Sequence, residues 1–303
     1  DNVPYGHALI DVYAAVFPEG HPYHHSTIGS MADLDAATLE DVHAFYRRYY
    51  GPDNTVLTIV GDVEVDDAFA WVERYFGAIA PLGEAPRGAG PTLGPLPEPV
   101  RVERRGDVPN DRLYVGFRLA VDDSPQFHAA GLAIDAIGGL STSRLVERLV
   151  RREQVATSVS AHAMGFIDGV SLGLIGVDVA DGHSAEYVES AVCEELDRFA
   201  AEGPTERELE AALAETQRSW LSMLASQEER ADVISRYTLL AGDPAYINGY
   251  LDRVEAVTRE EVHAAAATYL RPENRALVAY LRDPRAESPT ESPTEPAIEG
   301  EAS

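Results

Sequence analysis

Apolar and polar residues follow one distinctive pattern twice in this chain, at residues 38–62 and again at residues 258–283. In each copy a Thr with an acidic residue three positions later predicts a helix N-cap, and apolar residues at helical spacing come next. A Pro-x-Asn turn then ends the helix, and a run of apolar and β-branched residues predicts a buried strand, which is Thr55–Val60 in the first copy. At an offset of 220 the copies are identical at Thr38/Thr258, Glu40/Glu260, Val42/Val262, His43/His263, Ala44/Ala264, Tyr49/Tyr269, Pro52/Pro272, Asn54/Asn274 and Leu57/Leu277. A repeat at this distance indicates two similar modules.

The rest of the chain predicts an α+β fold, in which each module is an antiparallel sheet with helices packed on it. Residues 1–82 are the C-terminal part of a first module, and residues 83–99, rich in Pro and Gly, are a linker. Residues 100–283 are the second module, with strands predicted at 100–105, 112–119, 155–163 and 170–179. The acidic, Pro-rich residues 284–303 are predicted to be disordered.

The spacing of the repeat also predicts that the first module is incomplete at its N-terminus. The second module begins near Val100, 158 residues before Thr258, whereas only 37 residues precede Thr38. If the modules are alike, about 120 further residues belong at the front of the first. Asp1 is not an initiator Met, and no signal or transit peptide is visible. We expect a cytoplasmic protein.

Charge and composition exclude several classes of function. The formal net charge of −27 argues against nucleic acid and anionic membranes as partners. All 24 basic residues are Arg, so Schiff-base lysines, a P-loop lysine and a Ser-Lys dyad are excluded. The single cysteine, Cys193, lies in the apolar stripe of a predicted helix and is interpreted as a core residue. No apolar run is long enough to span a membrane.

Residue patterns that could bind metal are weak in this sequence. His21, His24 and His25 lie in a turn-rich loop without a carboxylate at helical spacing, so a turn-stabilising role is favoured over metal binding. The run from His183 to Tyr187 approximates an inverted His-x-x-Glu-His motif, but Tyr stands where the second His ligand belongs. We therefore assign no catalytic residue and no metal ligand within this chain.

Several longer segments carry a resemblance to a known family. These are FPEGHPYHHSTIGSMADLDAATLEDVHAFYRRYYGPDNTVLTIVGDV (17–63), WVERYFGAI (71–79) and AIGGLSTSRLVERLVRREQVATSVSA (136–161). Together they resemble the insulinase/pitrilysin family of inverted-motif zinc metalloproteases, which includes mitochondrial processing peptidase. The resemblance covers residues 1–283 and implies two homologous α+β modules and zinc-dependent hydrolysis of peptides.

The resemblance implies that zinc is bound by the full-length parent and not by this stretch. In the family a helical His-x-x-Glu-His supplies two ligands and a general base, and a later Glu is the third protein ligand. Both elements precede the segment that begins this chain. Many members also hold the substrate backbone with an Arg and, seven residues later, a Tyr. The aligned positions here are Val150 and Thr157, which cannot do so. This departure fits a zinc-bearing subunit that works with a homologous partner in a homo- or heterodimer, and it fits equally an inactive scaffold homologue.

The loop that includes Gly138, Gly139 and Ser141 resembles the family's Gly-rich loop, and these residues are the candidates for substrate contact. The residues alone are also consistent with a helix end and close packing. The expected function is therefore the C-terminal portion of an insulinase-like zinc metalloendopeptidase. The alternative is a catalytically inactive member that serves as a scaffold or partner subunit.

Overall fold

The computed structural model describes residues 3–83, 90–167 and 169–283. The predicted disordered tail at 284–303 and part of the predicted linker, residues 84–89, lie outside the described residues. The helices are α1 (Ala8–Val16), α2 (Met31–Ala36), α3 (Leu39–Tyr49), α4 (Val65–Phe76), α5 (Pro125–Ile134), α6 (Ala185–Glu202), α7 (Glu206–Ala225), α8 (Gln227–Ala241), α9 (Tyr250–Glu255) and α10 (Arg259–Tyr269). The strands are β1 (Val100–Gly106), β2 (Arg112–Leu119), β3 (Ala156–Met164), β4 (Ser171–Val179) and β5 (Ala276–Arg282).

The five strands form one sheet in the order β1-β5-β2-β4-β3. Strand β2 pairs antiparallel with both β4 and β5, and β3 pairs antiparallel with β4. Strands β1 and β5 pair in parallel. A parallel pair needs a crossover connection, and here the connection between β1 and β5 contains strands β2 to β4 and helices α5 to α10. The α+β prediction is confirmed, with the refinement that the sheet is mixed.

Helices α5, α6 and α10 lie on one face of this sheet. Strand β2 shows how the sequence directs its side chains, because Leu113, Val115, Phe117 and Leu119 alternate along it and all four are buried against the helices. Helix α10 packs on α5 and α6 and completes this layer. The alternation predicted from sequence is therefore confirmed.

The opposite face of the sheet is covered by α1, which packs on β1, β2 and β5. Val12 and Val16 are fully buried in this second core. The close approach depends on Gly116 of β2, where an added Cβ would lie 2.7 Å from Val16 Cγ2. Asp11 anchors the helix, since its carboxylate accepts hydrogen bonds from Arg104 and from the Tyr280 hydroxyl.

Both copies of the repeat fold as a capped helix and then a short 3₁₀ turn. The capping boxes predicted at Thr38 with Asp41 and at Thr258 with Glu261 are both present. The 3₁₀ turns are Pro52–Asn54 and Pro272–Asn274. Local sequence therefore specifies this part of the motif in both places.

The two copies differ in the segment after the turn. In the second copy the chain continues as β5, which lies between β1 and β2 in the sheet. In the first copy residues 55–60 form no strand, so the prediction of a buried strand at Thr55–Val60 is wrong for this structure. Strand formation needs a partner, and no described strand lies beside this segment. Leu57 and Ile59 are consequently exposed, whereas their counterparts Leu277 and Ala279 are buried.

Candidate functional site

The predicted substrate-contact residues lie where α5 changes its helical pitch. After Ile134 the chain continues as one π-helical turn, Asp135–Gly139, in which the Leu140 N–H donates to the Asp135 carbonyl at 3.2 Å. Such turns inside helices are frequent at functional sites. A Cβ added at Gly138 would lie 2.9 Å from the Ala161 Cβ, and the turn can therefore pack directly on β3.

Gly139 and Ser141 have different surroundings from Gly138. A Cβ at Gly139 would meet Asp135 Oδ1 at 2.7 Å and the Ala161 carbonyl at 3.1 Å. Ser141 is exposed in the turn after the π-helical segment. The structure thus brings Gly138 and Gly139 onto β3 and leaves Ser141 on the surface, and the assignment of all three to substrate contact stays a prediction.

A part-buried carboxyl group that the sequence analysis did not single out lies beside these glycines. Burial, with a smaller contribution from the charge of Glu215, raises the pKa of Asp135 to about 7. No hydrogen bond or ion pair to its side chain occurs within the described residues. The signal was present in the sequence, since Asp135 interrupts an otherwise apolar run, Leu132 to Ile137.

Asp135 lines a cavity of about 200 Å³ between α5, β3, α7 and α9, which we call the Asp135 pocket. The other polar groups on its walls are His128, His162, Thr216 and Tyr250. His128 is buried with its Nε2 3.0 Å from an Asp123 carboxylate oxygen, and burial nevertheless lowers the pKa of this ring. The Thr216 hydroxyl donates to the Ala212 carbonyl within α7, at 3.0 Å.

In the histidine-rich loop, His21 and His24 make their contacts with nearby residues of the chain. His21 is buried, stacks on Phe17 and accepts a hydrogen bond from the Tyr23 N–H at Nδ1. The His24 Nδ1 is 2.7 Å from the Phe17 carbonyl, to which it donates in the matching tautomer. In the ranges 3–83, 90–167 and 169–283 no group of three His, Cys, Asp or Glu side chains is placed to hold a metal ion.

The inverted-motif candidate does not lie on one helical face. The predicted helix begins at Ala185 with Ser184 as its N-cap, so His183 precedes the helix. Glu186 accepts a hydrogen bond from the Ser184 hydroxyl, and the Tyr187 hydroxyl donates to Glu153. Cys193 lies half-buried in the same helix, where burial raises the pKa of its thiol. These contacts give structural roles to Glu186 and Tyr187.

Val150 and Thr157, the positions aligned with the family's Arg and Tyr, both lie in the part of the chain that the structure describes. Val150 lies in a second π-helical segment, Val146–Arg152, and packs partly buried against the core. Thr157 is exposed at the beginning of β3, with its hydroxyl 3.5 Å from the Asp178 carbonyl. The neighbouring guanidinium groups are engaged, because Arg148 pairs with Glu153 and Glu194, and Arg151 pairs with Glu147. Neither of these two arginines is therefore available in the place of Val150.

Comparison with known families and structures identifies the class of protein. Residues 36–216, more than half of the chain, match the family described as Peptidase M16 inactive domain. The chain therefore belongs to the M16 peptidase family, and the resemblance to the insulinase and pitrilysin proteases is confirmed.

Individual relatives agree with this assignment. The chain is 24% identical to an uncharacterized zinc protease of Streptomyces coelicolor over 93% of its own length and 62% of the relative's. It is 20% identical to the mitochondrial-processing peptidase subunit beta of Saccharomyces cerevisiae over 85% of its length and 58% of that protein's. The chain thus spans about three fifths of the length of these curated relatives.

Solved structures share the fold. A protease from Helicobacter pylori superimposes with a TM-score of 0.80 at 22% identity, covering 93% of this chain and 67% of that one. A peptidase M16 inactive domain from Pseudomonas fluorescens gives a TM-score of 0.76 at 20% identity, covering 91% and 65%. No helix in the part of the chain that the structure describes is both long and apolar enough to cross a membrane.

Proposed function

We propose that this chain is the C-terminal portion of an insulinase-like zinc metalloendopeptidase that hydrolyses peptides. The observation that carries the proposal is the uncovered apolar surface of the first module. Val42 and Phe45 of α3 are each 57% exposed, whereas Val262 of α10, the counterpart of Val42, is fully buried. Helix α4 exposes further large side chains, including Phe69, Trp71 and Tyr75. Large apolar side chains exposed in such number on two amphipathic helices indicate a surface that another element covers.

The repeat indicates what covers this surface. In the second module β5 has a strand on each side, parallel β1 and antiparallel β2, and its helix α10 packs on α5 and α6. By the same arrangement residues 55–60 would be an interior strand between two further strands, with helices over α3. We assign that layer to a preceding segment of about 120 residues, because a module of the same kind needs that length.

Asn54 supports the same assignment at atomic detail. Its counterpart Asn274 is fully buried and makes four hydrogen bonds, accepting from the N–H groups of Leu96 and Arg118 and donating to the carbonyls of Arg118 and Tyr269. Asn54 is exposed and keeps only the bond to its own helix, donating to the Tyr49 carbonyl at 2.9 Å. The groups that correspond to Leu96 and Arg118 would come from the preceding segment.

The described residues do not fit a zinc site, since they hold no cluster of three ligands. We therefore place the zinc motif on the preceding segment and derive no chemical step from the residues of this chain. The contribution proposed for the chain is to enclose peptide substrates, in the cytoplasm.

Val150 and Thr157 favour a division of labour between subunits. A valine offers no hydrogen-bond donor, and Thr157 is too short to replace a phenol. A homologous partner subunit would then supply the Arg and Tyr contacts. The same two residues also support the second candidate function, an inactive scaffold or partner subunit, which would lack the zinc motif as well.

The test compares the complete reading frame that contains this chain with the 303-residue chain alone. We expect the complete protein to cleave unfolded fluorogenic peptides and the chain alone to leave them intact. Cleavage by the chain alone would contradict the placement of the site, and a complete protein without activity under any pairing would favour the scaffold. Light scattering tests the partner, because a complete protein that cleaves peptides as a strict monomer would contradict the two-subunit proposal.

A further inference from the structure

The Asp135 pocket contains an acid for which the described part of the protein offers no counter-ion. The side chain is part-buried, and within the described residues neither a guanidinium nor a hydrogen-bond donor contacts its carboxyl group. The carboxyl group lines the cavity without a protein partner, so it is available to a ligand that enters the cavity.

Aromatic rings form two walls of the Asp135 pocket. Phe127 of α5 and Tyr250 of α9 both line it. The Tyr250 ring stacks on Trp220, with ring centroids 4.0 Å apart, and makes a T-shaped contact with the His128 ring at 5.7 Å. The combination of a carboxylate with fixed aromatic faces suits a flat organic cation.

The acids that surround Asp135 differ from it, because each of them is paired with an arginine. Glu215 of α7 is close enough to raise the pKa of Asp135, and the carboxylates of Asp122 and Asp123 act on Tyr250 in the same direction. Arg218 pairs with Glu215, Arg236 pairs with Asp122, and Arg253 pairs with Asp123, so each of these three acids has its own guanidinium partner. Among the acids on and around this cavity that the structure describes, Asp135 is therefore the one left to pair with a basic ligand.

We propose that the Asp135 pocket binds the guanidinium group of an arginine side chain in a peptide. The proposal rests on the proposed function, since a peptide substrate would bring the arginine. The carboxylate would form a charge-assisted pair with the guanidinium, whose plane would lie against Phe127 or Tyr250. A cavity of about 200 Å³ accommodates one such side chain and excludes a folded domain.

Binding of this kind should depend on pH. A guanidinium binds the ionised form of Asp135, so affinity should rise as the pH increases through about 7 and level off above it. The other titratable groups that face Asp135 are His128 of α5, His162 of β3, Glu215 of α7 and Tyr250 of α9. Burial favours neutral His128 and neutral Tyr250, and Arg218 lowers the pKa of Glu215, which keeps that group ionised. A His162→Gln variant should retain the pH dependence if Asp135 causes it.

The test is calorimetric titration of the 303-residue chain with a capped alanine peptide that contains one arginine. Its control ligand carries citrulline, the neutral isostere of arginine. We expect the arginine peptide to bind at least about tenfold more tightly, as a charge-assisted pair should allow. Asp135→Asn should abolish this preference, whereas Asp232→Asn, the same change at an exposed position of α8, should preserve it.

A second variant tests the same pocket if the Asp135→Asn variant fails to fold. At Gly131 an added Cβ would meet only the Ala163 Cβ, at 3.8 Å, so Gly131→Leu should fill the pocket and leave every charge in place. We expect this variant also to lose the preference for arginine. Equal binding of the two peptides, no binding of either, or a preference that survives both variants would overturn the proposal. The assay requires neither zinc nor cleavage, so its failure would leave the peptidase proposal standing.

Discussion

Replacing Asp135 with Asn should stabilise the protein at alkaline pH. Burial favours the protonated carboxyl and raises its pKa from an ordinary 3.8 to about 7. In the unfolded chain the same group ionises at its ordinary value, so the folded state binds the proton more tightly between these two pH values. The stability of the unsubstituted protein therefore falls as the pH rises from about 4 to about 7, and it is constant above that range. Asparagine has nearly the same shape but cannot ionise, so the stability of the Asp135→Asn variant does not fall in this way as the pH rises.

The size of the effect comes from the two pKa values. A rise from 3.8 to about 7 corresponds to about 4 kcal/mol of stability lost once the group is fully ionised in both states. Part of that loss has already occurred at pH 5. The stability difference between Asp135→Asn and the unsubstituted protein should therefore grow by about 2–3 kcal/mol between pH 5 and pH 8. This increment is independent of whatever the amide itself gains or loses by burial.

Urea denaturation at several pH values, monitored by circular dichroism, measures this increment. Asp232→Asn is the matched control, and its difference from the unsubstituted protein should not change with pH because the side chain is exposed. A constant difference between pH 5 and pH 8 for Asp135→Asn would refute the reasoning. It would mean that the Asp135 carboxyl is solvated or paired in the folded protein.

Three further predictions concern packing and surface. Asn274→Ala should lower the free energy of unfolding by about 2–4 kcal/mol in urea melts, because it leaves buried backbone groups unpaired, whereas Asn54→Ala should cost under about 1 kcal/mol. Gly138→Ala should cost about 1–3 kcal/mol, since its methyl group would meet a β3 side chain at 2.9 Å, and Gly106→Ala, with open space around it, should cost less. Equal losses within either pair would contradict the packing described. Phe45→Ser should reduce the binding of a hydrophobic dye to the isolated chain without lowering its unfolding midpoint, because the ring is exposed; a lower midpoint would show that the ring is already packed.

Local sequence predicted the parts of the fold that depend on neighbours in the chain. The capping boxes at Thr38 and Thr258 and the alternating side chains of β2 obey such short-range rules. The parallel pairing of β1 with β5 was not predicted, because it joins segments far apart in the chain. Residues 55–60 show the same limit, since a strand-like composition forms a strand only where partner strands exist.

The candidate site was predictable only in part. The glycines at 138 and 139 are conspicuous in the sequence, and the structure explains them by the close approach of the π-helical turn to β3. Asp135 went unnoticed because helical periodicity does not report how deeply a single acid at the end of an apolar helix is buried. Its neighbours across the pocket, His162 and Tyr250, come from distant segments that only the tertiary fold assembles.

The most direct test of the central claim is the zinc content of the complete protein, measured by atomic emission alongside the 303-residue chain. The proposal predicts about one zinc per complete chain, as a single inverted motif would bind, and none with the 303 residues alone. Stoichiometric zinc in the shorter chain would contradict the placement of the site. A complete protein without zinc would contradict the assignment as a metalloendopeptidase and would support the inactive scaffold.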